Sequence, residues 1–211
     1  MSKTSLIITT YHKDKAMIEL TETCLESLKY GRPDEVIVVD DGSPIIKRFS
    51  GVKQIFRQDN GGFPKCANTG WKAATGDILI LSNNDIIYTP GWLEAIIKPL
   101  NEGYDISSVV MSDRTWETRD EITEGDFFGS LWAMKREVYD KIGGFDERFT
   151  KGCFEDKDYH IRARKAGFKI GKNHAVVVEH YGRATMRTIY PNEEDFNESA
   201  RIFEDKWGFL V

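Results

Sequence analysis

The 211-residue chain is poor in cysteine, in long apolar runs and in excess positive charge. Its three cysteines, Cys24, Cys66 and Cys153, are widely spaced, which argues against a disulfide framework and a structural zinc site and favours a reducing compartment. No apolar run approaches a membrane span in length, and the early run Leu6-Ile7-Ile8 is too short for a signal peptide. We therefore predict a cytoplasmic protein without a transmembrane segment.

The charge balance excludes a further class of function. The net charge is -5, so no basic excess marks a surface for nucleic acid or for an anionic membrane. Hydrophobic residues make up 40% of the chain and charged residues 30%, as in ordinary globular proteins. The length suits one substantial core. We expect a single domain over residues 1–211 that does not bind nucleic acid.

Short apolar runs alternate with amphipathic segments along the chain. We predict strands at residues 5–10, 35–40, 52–57, 77–82 and 175–180, and helices at residues 15–30, 64–74, from 90 onward, 136–142, 155–167 and 192–207. This alternation predicts an α/β fold with a mostly parallel central sheet flanked by helices. Ligands of such sheets bind at the carboxyl ends of the strands, so the loops after Thr10, Val39 and Leu81 are candidate sites.

Three segments suit a nucleotide. Asp40 and Asp41 follow a β-branched run, and one carboxylate can bind a ligand while the other caps the turn; a plain strand-ending turn is the alternative. Tyr11, just past the first strand, can stack on a base or pack on a neighbouring helix. Residues 60–70 place glycines before a helix, where backbone amides favour an anion, and Lys65 there is either a phosphate ligand or a solvated lysine.

Three further groups suggest a metal site and a general base. Asp85 ends the strand run Leu-Ser-Asn-Asn-Asp, and its carboxylate suits a hard divalent cation but is too little to hold one alone. Asp156 in the first turn of a helix is a candidate general base, whereas Asp158 there complements the helix dipole. His180 at a strand end is either a metal ligand or a core histidine.

Taken in order, these pieces resemble the family 2-type glycosyltransferases with a GT-A fold, and among them a rhamnosyltransferase-like subgroup. The resemblance covers nearly the whole chain and rests on V-V-D-D-G-S, N-x-G…A-N-x-G, L-x-N-N-D, F-E-D-x-D, R-A-R-K-A-G-F-K-I and V-x-E-H-Y-G. It implies a nucleotide-sugar-binding half over about residues 1–100 and an acceptor-binding half over about residues 101–211.

The resemblance implies a nucleotide site made of Thr9, Tyr11, Asp41, Lys65, Asn68 and Asn84. Asp41 would accept a hydrogen bond from the imide N–H of the base, which favours UDP or dTDP because cytosine lacks this donor. Asp85 would be the last residue of the family's D-x-D metal motif, and His180 would add a ligand. Asn83 stands where the motif has its first Asp, and the mixed imidazole and oxygen ligands favour Mn²⁺ over Mg²⁺.

The implied reaction is the inverting transfer of a hexose or deoxyhexose, of glucose or rhamnose type, from a UDP- or dTDP-sugar to a glycan hydroxyl. Asp156 would be the general base, and Glu155 would position the acceptor or the base. Gly129, Ser130 and Trp132 would line the sugar and acceptor pocket, although Trp132 suits the core equally well. Two alternatives are a non-catalytic nucleotide-sugar or glycan-binding module, which needs no base, and a sugar-nucleotide pyrophosphorylase, whose glycine-rich first loop is missing here.

Overall fold

The computed structural model describes residues 2–112, 117–126, 129–150, 153–180 and 193–209. Its strands are β1 (Thr4–Thr10), β2 (Glu35–Asp40), β3 (Lys53–Phe56), β4 (Ile78–Asn83), β5 (Ile86–Ile87), β6 (Ile106–Ser112), β7 (Ile122–Glu124), β8 (Leu131–Lys135) and β9 (Ile170–His180). Its helices are α1 (Lys15–Ser27), α2 (Phe63–Ala73), α3 (Trp92–Asn101), α4 (Arg136–Ile142), α5 (Glu155–Lys165) and α6 (Glu193–Trp207).

The strands form one sheet in the order β3-β2-β1-β4-β8-β6-β9-β5, with β7 beside β9. The first four strands run parallel, β8 is antiparallel to both of its neighbours, and β9 is parallel to β6. Because β8 runs against β4, Leu131 at its start pairs with Ser82 near the carboxyl end of β4. The chain that leads into β8 therefore arrives at the edge of the sheet where β1, β2 and β4 end.

Helices cover both faces of the sheet, which explains why the central strands are apolar throughout. β1 is buried along all seven residues and β2 along five of six. One face packs on α1, the 3-10 turn that follows it and α3, through Cys24, Leu28, Trp92 and Ile96. The other face packs on α2, α4 and α5 through an aromatic group that includes Trp71, Trp132 and Tyr159. The predicted α/β fold with a helix-flanked sheet is confirmed.

Local chemistry fixes where the helices nearest the candidate loops begin. The side chain of Asp14 caps α1 by accepting a hydrogen bond of 3.1 Å from the amide of Met17. Gly62 precedes α2 with a φ of +86°, and a side chain there would collide with the carbonyl of Thr150. Pro64 follows in the first turn of α2, where its missing N–H costs nothing.

Several predicted boundaries need correction. The helix predicted for residues 15–30 ends at Ser27 and continues as a short 3-10 turn, Leu28–Tyr30. The helix predicted to reach residue 167 ends at Lys165, because Gly167 takes a φ of +90° just past its end. The last strand begins at Ile170 rather than at 175, and β5, β6, β7 and β8 were not predicted. Residue 192 and the Tyr-Gly end of the V-x-E-H-Y-G motif lie outside the described residues.

Candidate active site

The polar edge of the sheet is assembled by strand register. Thr10 pairs with Asp40 of β2, and Thr9 pairs with Asn83 of β4, so the three strand ends lie level with one another. Thr9 is buried at this edge, and Tyr11 just beyond it is partly exposed. The loops after β1, β2 and β4, which the sequence marked as candidates, therefore open on one shared surface.

The two adjacent aspartates after β2 have different partners. Asp40 accepts a hydrogen bond of 2.8 Å from the amide of Ser43 and so caps the turn, and its other oxygen lies 3.4 Å from Nδ1 of His12. Burial opposes the ionisation of Asp40, but hydrogen bonds from His12 and Ser43 outweigh it and hold its pKa below the ordinary value. Asp40 is therefore the turn-capping member of the pair.

Asp41 is held by three donors from a neighbouring loop. Nε of Arg57 lies 2.7 Å from Oδ1, the amide of Gly61 lies 3.2 Å from the same oxygen, and the amide of Gly62 lies 2.8 Å from Oδ2. Burial raises the pKa of Asp41 although these donors oppose the shift. Oδ2 keeps one acceptor position, so the contact of Asp41 with a base N–H stays a prediction with one specific atom to test.

Asn68 is occupied within the protein. Its Nδ2 donates to the carbonyl of Phe145 at 3.0 Å and to Oε1 of Glu147 at 2.9 Å, and its Oδ1 accepts from the amide of Phe145 at 2.8 Å. A nucleotide contact from Asn68 would require it to give up one of these bonds. The geometry assigns Asn68 to holding the loop before α5. Lys65, in the first turn of α2, is half-buried with its stem beside Gly61, and its phosphate contact stays a prediction.

In the loop after β4, the adjacent side chains of Asn84 and Asp85 have different partners. Asn84 is buried and donates from Nδ2 to Oγ1 of Thr21 on α1 at 2.8 Å, which makes it a structural link. Asp85 is also buried, and its Oδ1 lies 3.3 Å from Nε2 of His180. Strand pairing fixes this approach, because Ile86 of β5 lies opposite His180 of β9. The sequence placed Asp85 and His180 as metal ligands 95 residues apart (180 − 85), and the fold brings them together.

The Asp85–His180 pair fits a divalent cation. Oδ1 of Asp85 and Nε2 of His180 find no hydrogen-bond partner among the described residues, although buried polar atoms normally have one. Adjacent ligands of one octahedral ion, each about 2.1 Å from it, lie about 3 Å apart, which is close to the observed separation. No group of three or more His, Cys, Asp or Glu side chains converges in the described part of the chain, so two protein ligands leave room for phosphate oxygens.

Two carboxylates stand at the start of α5. Glu155 is buried, and its Oε2 lacks a hydrogen-bond partner among the residues described; Asp156 is partly exposed and accepts from the amide of Lys157 at 2.7 Å. Burial, and then the charge of Asp156, raise the pKa of Glu155 to about 8. Glu155 therefore keeps its proton at neutral pH in the folded protein. Gly129 lies beside both: a Cβ added there would be 3.7 Å from Oε1 of Glu155 and 3.8 Å from Cβ of Asp156.

The backbone before α5 is unusual. Cys153 and Phe154 have φ values of +64° and +67°, a left-handed conformation that non-glycine residues adopt at a cost of about 1–2 kcal/mol each. Phe154 is anchored by ring contacts to Phe196 and Phe203, with centroids 5.2 and 5.3 Å apart. The packing of α6 thus holds the strained turn that aims Glu155 and Asp156.

Ser130 and Trp132 separate in the fold. Ser130 is partly exposed, and its carbonyl accepts from the amide of Asn83 at 2.8 Å, so it lies at the site edge beside Gly129. Trp132 is fully buried, with ring centroids 5.6 Å from Trp71 and 5.3 Å from Tyr159. The structure thus places Trp132 in the core, the alternative that the sequence left open, because β8 is buried on both faces; its role in a sugar pocket stays a prediction.

Two site residues had no role assigned from the sequence. Arg57 anchors Asp41, and its NH1 donates to Oγ1 of Thr69 at 3.0 Å. It ends the predicted strand 52–57 beside β2, and that position was the signal for it. His12 belongs to the Thr-Thr-Tyr-His stretch, but only the fold shows that it is fully buried against Asp40.

Acidic and imidazole side chains thus lie at one edge of a mostly parallel α/β sheet. Comparison with known proteins gives the family: the model for "Glycosyl transferase family 2" matches residues 5–179. The chain belongs to glycosyl transferase family 2. Among the described residues no helix has both the length and the apolar character needed to cross a bilayer.

Two relatives show how far the sequence similarity extends. The hyaluronan synthase of Pasteurella multocida is 31% identical over 140 residues, which cover 62% of this chain and 14% of the synthase. The uncharacterized glycosyltransferase YwdF of Bacillus subtilis strain 168 is 26% identical over 189 residues, covering 77% of this chain and 68% of YwdF. The chain thus spans a small part of the synthase and about two thirds of YwdF.

Solved structures share the fold at low identity. GalNAc-T7 with UDP, GalNAc and Mn²⁺ superposes with a TM-score of 0.73 at 14% identity, over 85% of this chain and 43% of that one. TarS 1–349 of S. aureus in complex with UDP-GlcNAc gives 0.70 at 19% identity, over 97% and 66%. The mannosyltransferase PcManGT of Pyrobaculum calidifontis with GDP-Man and Mn²⁺ gives 0.66 at 20% identity, over 85% and 56%. These neighbours confirm the GT-A fold.

Proposed function

We propose that this chain is an inverting, metal-dependent glycosyltransferase domain that moves a hexose or deoxyhexose from a UDP- or dTDP-sugar to a hydroxyl of a glycan. The observation that carries the proposal is the pair of unpartnered atoms, Oδ1 of Asp85 and Nε2 of His180, 3.3 Å apart at the ligand-binding edge of the sheet. Family 2 membership and the neighbours crystallised with sugar nucleotides support it. The rhamnosyl subtype draws no support from the relatives named above, so the sugar class is kept broad.

The donor base is proposed from the loops after β1 and β2. Thr9 and Tyr11 would flank the base, and the remaining acceptor position on Oδ2 of Asp41 would receive its imide hydrogen. Neighbours of the same fold carry UDP or GDP-Man, so the fold does not select the base. The choice therefore rests on Asp41, which Arg57 holds in place.

The diphosphate end would lie at Asp85 and His180, which would hold the divalent ion. When bound, that ion would neutralise the charge that grows on the leaving diphosphate. A nitrogen ligand beside carboxylate and phosphate oxygens favours Mn²⁺ over Mg²⁺. Lys65 in the first turn of α2 is a further candidate for the phosphates.

Asp156 would act as the general base. Its carboxylate would take the proton of an acceptor hydroxyl while that oxygen forms a bond to the anomeric carbon. The bond from the anomeric carbon to the diphosphate oxygen breaks in the same step, and its electron pair leaves with the nucleoside diphosphate. One displacement inverts the anomeric configuration. Glu155 would help to position the acceptor, and its raised pKa keeps it protonated at neutral pH.

The test is Asp156→Asn, with Asp140→Asn on the exposed face of α4 as the matched control. We expect transfer from UDP-glucose, UDP-GlcNAc or dTDP-rhamnose to fall by about 10²–10⁴-fold in Asp156→Asn, as for loss of a general base. UDP affinity by calorimetry should stay within about twofold in both variants, because the carboxylate lies at the acceptor side. Full transfer by Asp156→Asn would overturn its role as base.

The same assays separate the alternatives. Nucleotide binding without transfer or hydrolysis of any UDP-, dTDP- or GDP-sugar would favour a non-catalytic binding module. Family 2 membership leaves the pyrophosphorylase alternative without support.

A further inference from the structure

A buried chain of polar side chains runs beneath the site from the loop after β2 to the loop after β4. Its members are Asp40, His12, Thr21 and Asn84, which are 2%, 0%, 0% and 3% exposed. Nδ1 of His12 lies 3.4 Å from Oδ2 of Asp40, Nε2 of His12 lies 3.0 Å from Oγ1 of Thr21, and Nδ2 of Asn84 donates to that same oxygen at 2.8 Å. The chain thus starts one residue before Asp41 and ends one residue before Asp85.

The donors and acceptors of the buried polar chain depend on one another. Thr21 accepts from Asn84 and has one hydroxyl hydrogen, which faces either His12 or the carbonyl of Met17, 3.0 Å away. The Asp40 carboxylate favours a hydrogen on Nδ1 of His12, which leaves Nε2 to accept from Thr21. A buried polar group that loses its partner keeps the full desolvation cost, so removing one link strains the next.

His12 also ties down the β2 loop through its backbone. Its amide donates to Oγ of Ser43 at 2.7 Å, and the amide of Ser43 donates to Asp40 at 2.8 Å. The ring of Phe49 packs edge-on against the imidazole of His12, with centroids 5.8 Å apart. His12 is therefore held by its backbone amide, by Nε2 against Thr21 and by its ring edge, and its Nδ1 faces Oδ2 of Asp40 at 3.4 Å without a hydrogen bond.

We propose that His12 is a positioning residue that couples the nucleotide-base loop to the metal loop, so that a divalent cation at Asp85 and a nucleotide at Asp41 strengthen each other's binding. The inference rests on the proposed function, which puts the base and the diphosphate of one ligand at these two loops. Coupling between two sites is reciprocal, so it can be measured from the nucleotide side alone. The buried polar chain can transmit this coupling because Asn84, at its end, is the neighbour of Asp85 on one short, buried loop.

The chain offers a matched pair for the test. Thr21 and Thr23 both lie on α1, and each hydroxyl can donate to the carbonyl four residues earlier, at 3.0 and 2.8 Å. Only Thr21 touches His12 and Asn84, whereas Thr23 is exposed. Thr21→Val removes the hydroxyl at nearly constant volume, Thr23→Val is the control, and Thr21→Ser restores the hydroxyl.

The measured quantity is the UDP dissociation constant by calorimetry with and without Mn²⁺. In the unsubstituted chain, Thr23→Val and Thr21→Ser we expect Mn²⁺ to tighten UDP by about tenfold or more, within the usual range of coupling. In Thr21→Val we expect this factor to fall to about threefold or less while Mn²⁺-free affinity changes by less than about twofold. His12→Asn, which keeps a donor toward Asp40 but cannot reach Thr21, cuts the link from the other side and should reproduce the loss if Thr21→Val does not fold.

An unchanged Mn²⁺ factor in Thr21→Val or in His12→Asn would overturn the proposal. An equal loss of UDP affinity with and without Mn²⁺ would also overturn it, because that pattern indicates general loosening of the site. Absence of any Mn²⁺ effect in the unsubstituted chain would instead contradict the proposed metal site itself. The two failures are thus distinguished by the protein in which they appear.

Discussion

Glu155 and Asp156 are neighbours on the first turn of α5, yet one is buried and the other is partly exposed. The difference follows from the left-handed turn at Cys153 and Phe154, which starts the helix with Glu155 facing inward. Burial and the neighbouring charge of Asp156 raise the pKa of Glu155, so two carboxyls one residue apart differ in their environment.

The first prediction concerns the pH dependence of stability. The pKa of Glu155 is raised from 4.5 to about 8, so the native state keeps a proton that the unfolded state releases between these values. The free energy of unfolding should therefore fall as the pH rises from about 4.5 to about 8 and level off above, apart from the contributions of other groups. Glu155→Gln should flatten this slope in urea titrations at several pH values. A slope that is unchanged in Glu155→Gln would contradict the assignment.

The second prediction concerns the metal ligands. Loss of an outer-shell partner alone costs about 10–100-fold in metal affinity, so Asp85→Ala and His180→Ala should each weaken Mn²⁺-dependent UDP binding at least that much. His174→Ala is the control, because His174 lies on the same strand but faces Thr123, 2.9 Å from its Nε2. Calorimetry with UDP at fixed Mn²⁺ measures the effect. Equal losses in all three variants would point to damage to β9 and not to a metal site.

The third prediction separates packing from sugar binding at Trp132. Its ring is fully buried among Trp71, Phe145 and Tyr159, so Trp132→Phe should lower the free energy of unfolding by about 1–3 kcal/mol. Donor affinity should be unchanged in the folded variant. Urea denaturation and calorimetry on the same sample test both statements. A stable variant with weakened donor binding would favour the sugar-pocket interpretation.

The fourth prediction concerns the attachment of α6. Nζ of Lys206 lies 2.6 Å from Oδ2 of Asp146 and 2.7 Å from Oδ1 of Asp158, which is fully buried. Lys206→Met leaves part of that buried charge unbalanced and should cost about 1.5–3 kcal/mol of stability, as for hydrogen bonds to charged groups. Lys72→Met on the exposed side of α2 should change it by less than about 0.5 kcal/mol. Thermal or urea unfolding of both variants measures the two losses of stability, and equal losses would contradict the role given to Lys206.

Much of the fold follows from local sequence. β2 and α4 coincide with the segments predicted at 35–40 and 136–142, because a β-branched run buried on both faces and a short segment before Gly143 leave little choice. β5 and β7 have two and three residues, too few for periodicity to register. β8 was missed because its apolar residues follow an irregular glycine-containing stretch, and only pairing with β4 and β6 makes it a strand.

The sequence predicted which residue types form the candidate site but not which side chains or backbone groups those residues contact. The sequence could pair Asp85 with His180 only by family resemblance, because β5–β9 pairing is a long-range property. It could not reveal that Asn68 is bound to the loop at Phe145 or that Asn84 is bound to Thr21. An amide side chain can bind a nucleotide or a protein loop equally well, and tertiary contacts decide between them.

The reversal of β8 has a consequence for how such a domain can diversify. The parallel strands β1, β2 and β4 carry the residues proposed to bind the donor, while the chain entering β8 brings Gly129 and Ser130 from the opposite direction. Residues just ahead of β8 can therefore change without shifting the register of the parallel strands. If the proposed roles hold, a change of acceptor can be sought in the segment before β8 while the parallel strands that carry the proposed donor site stay unchanged.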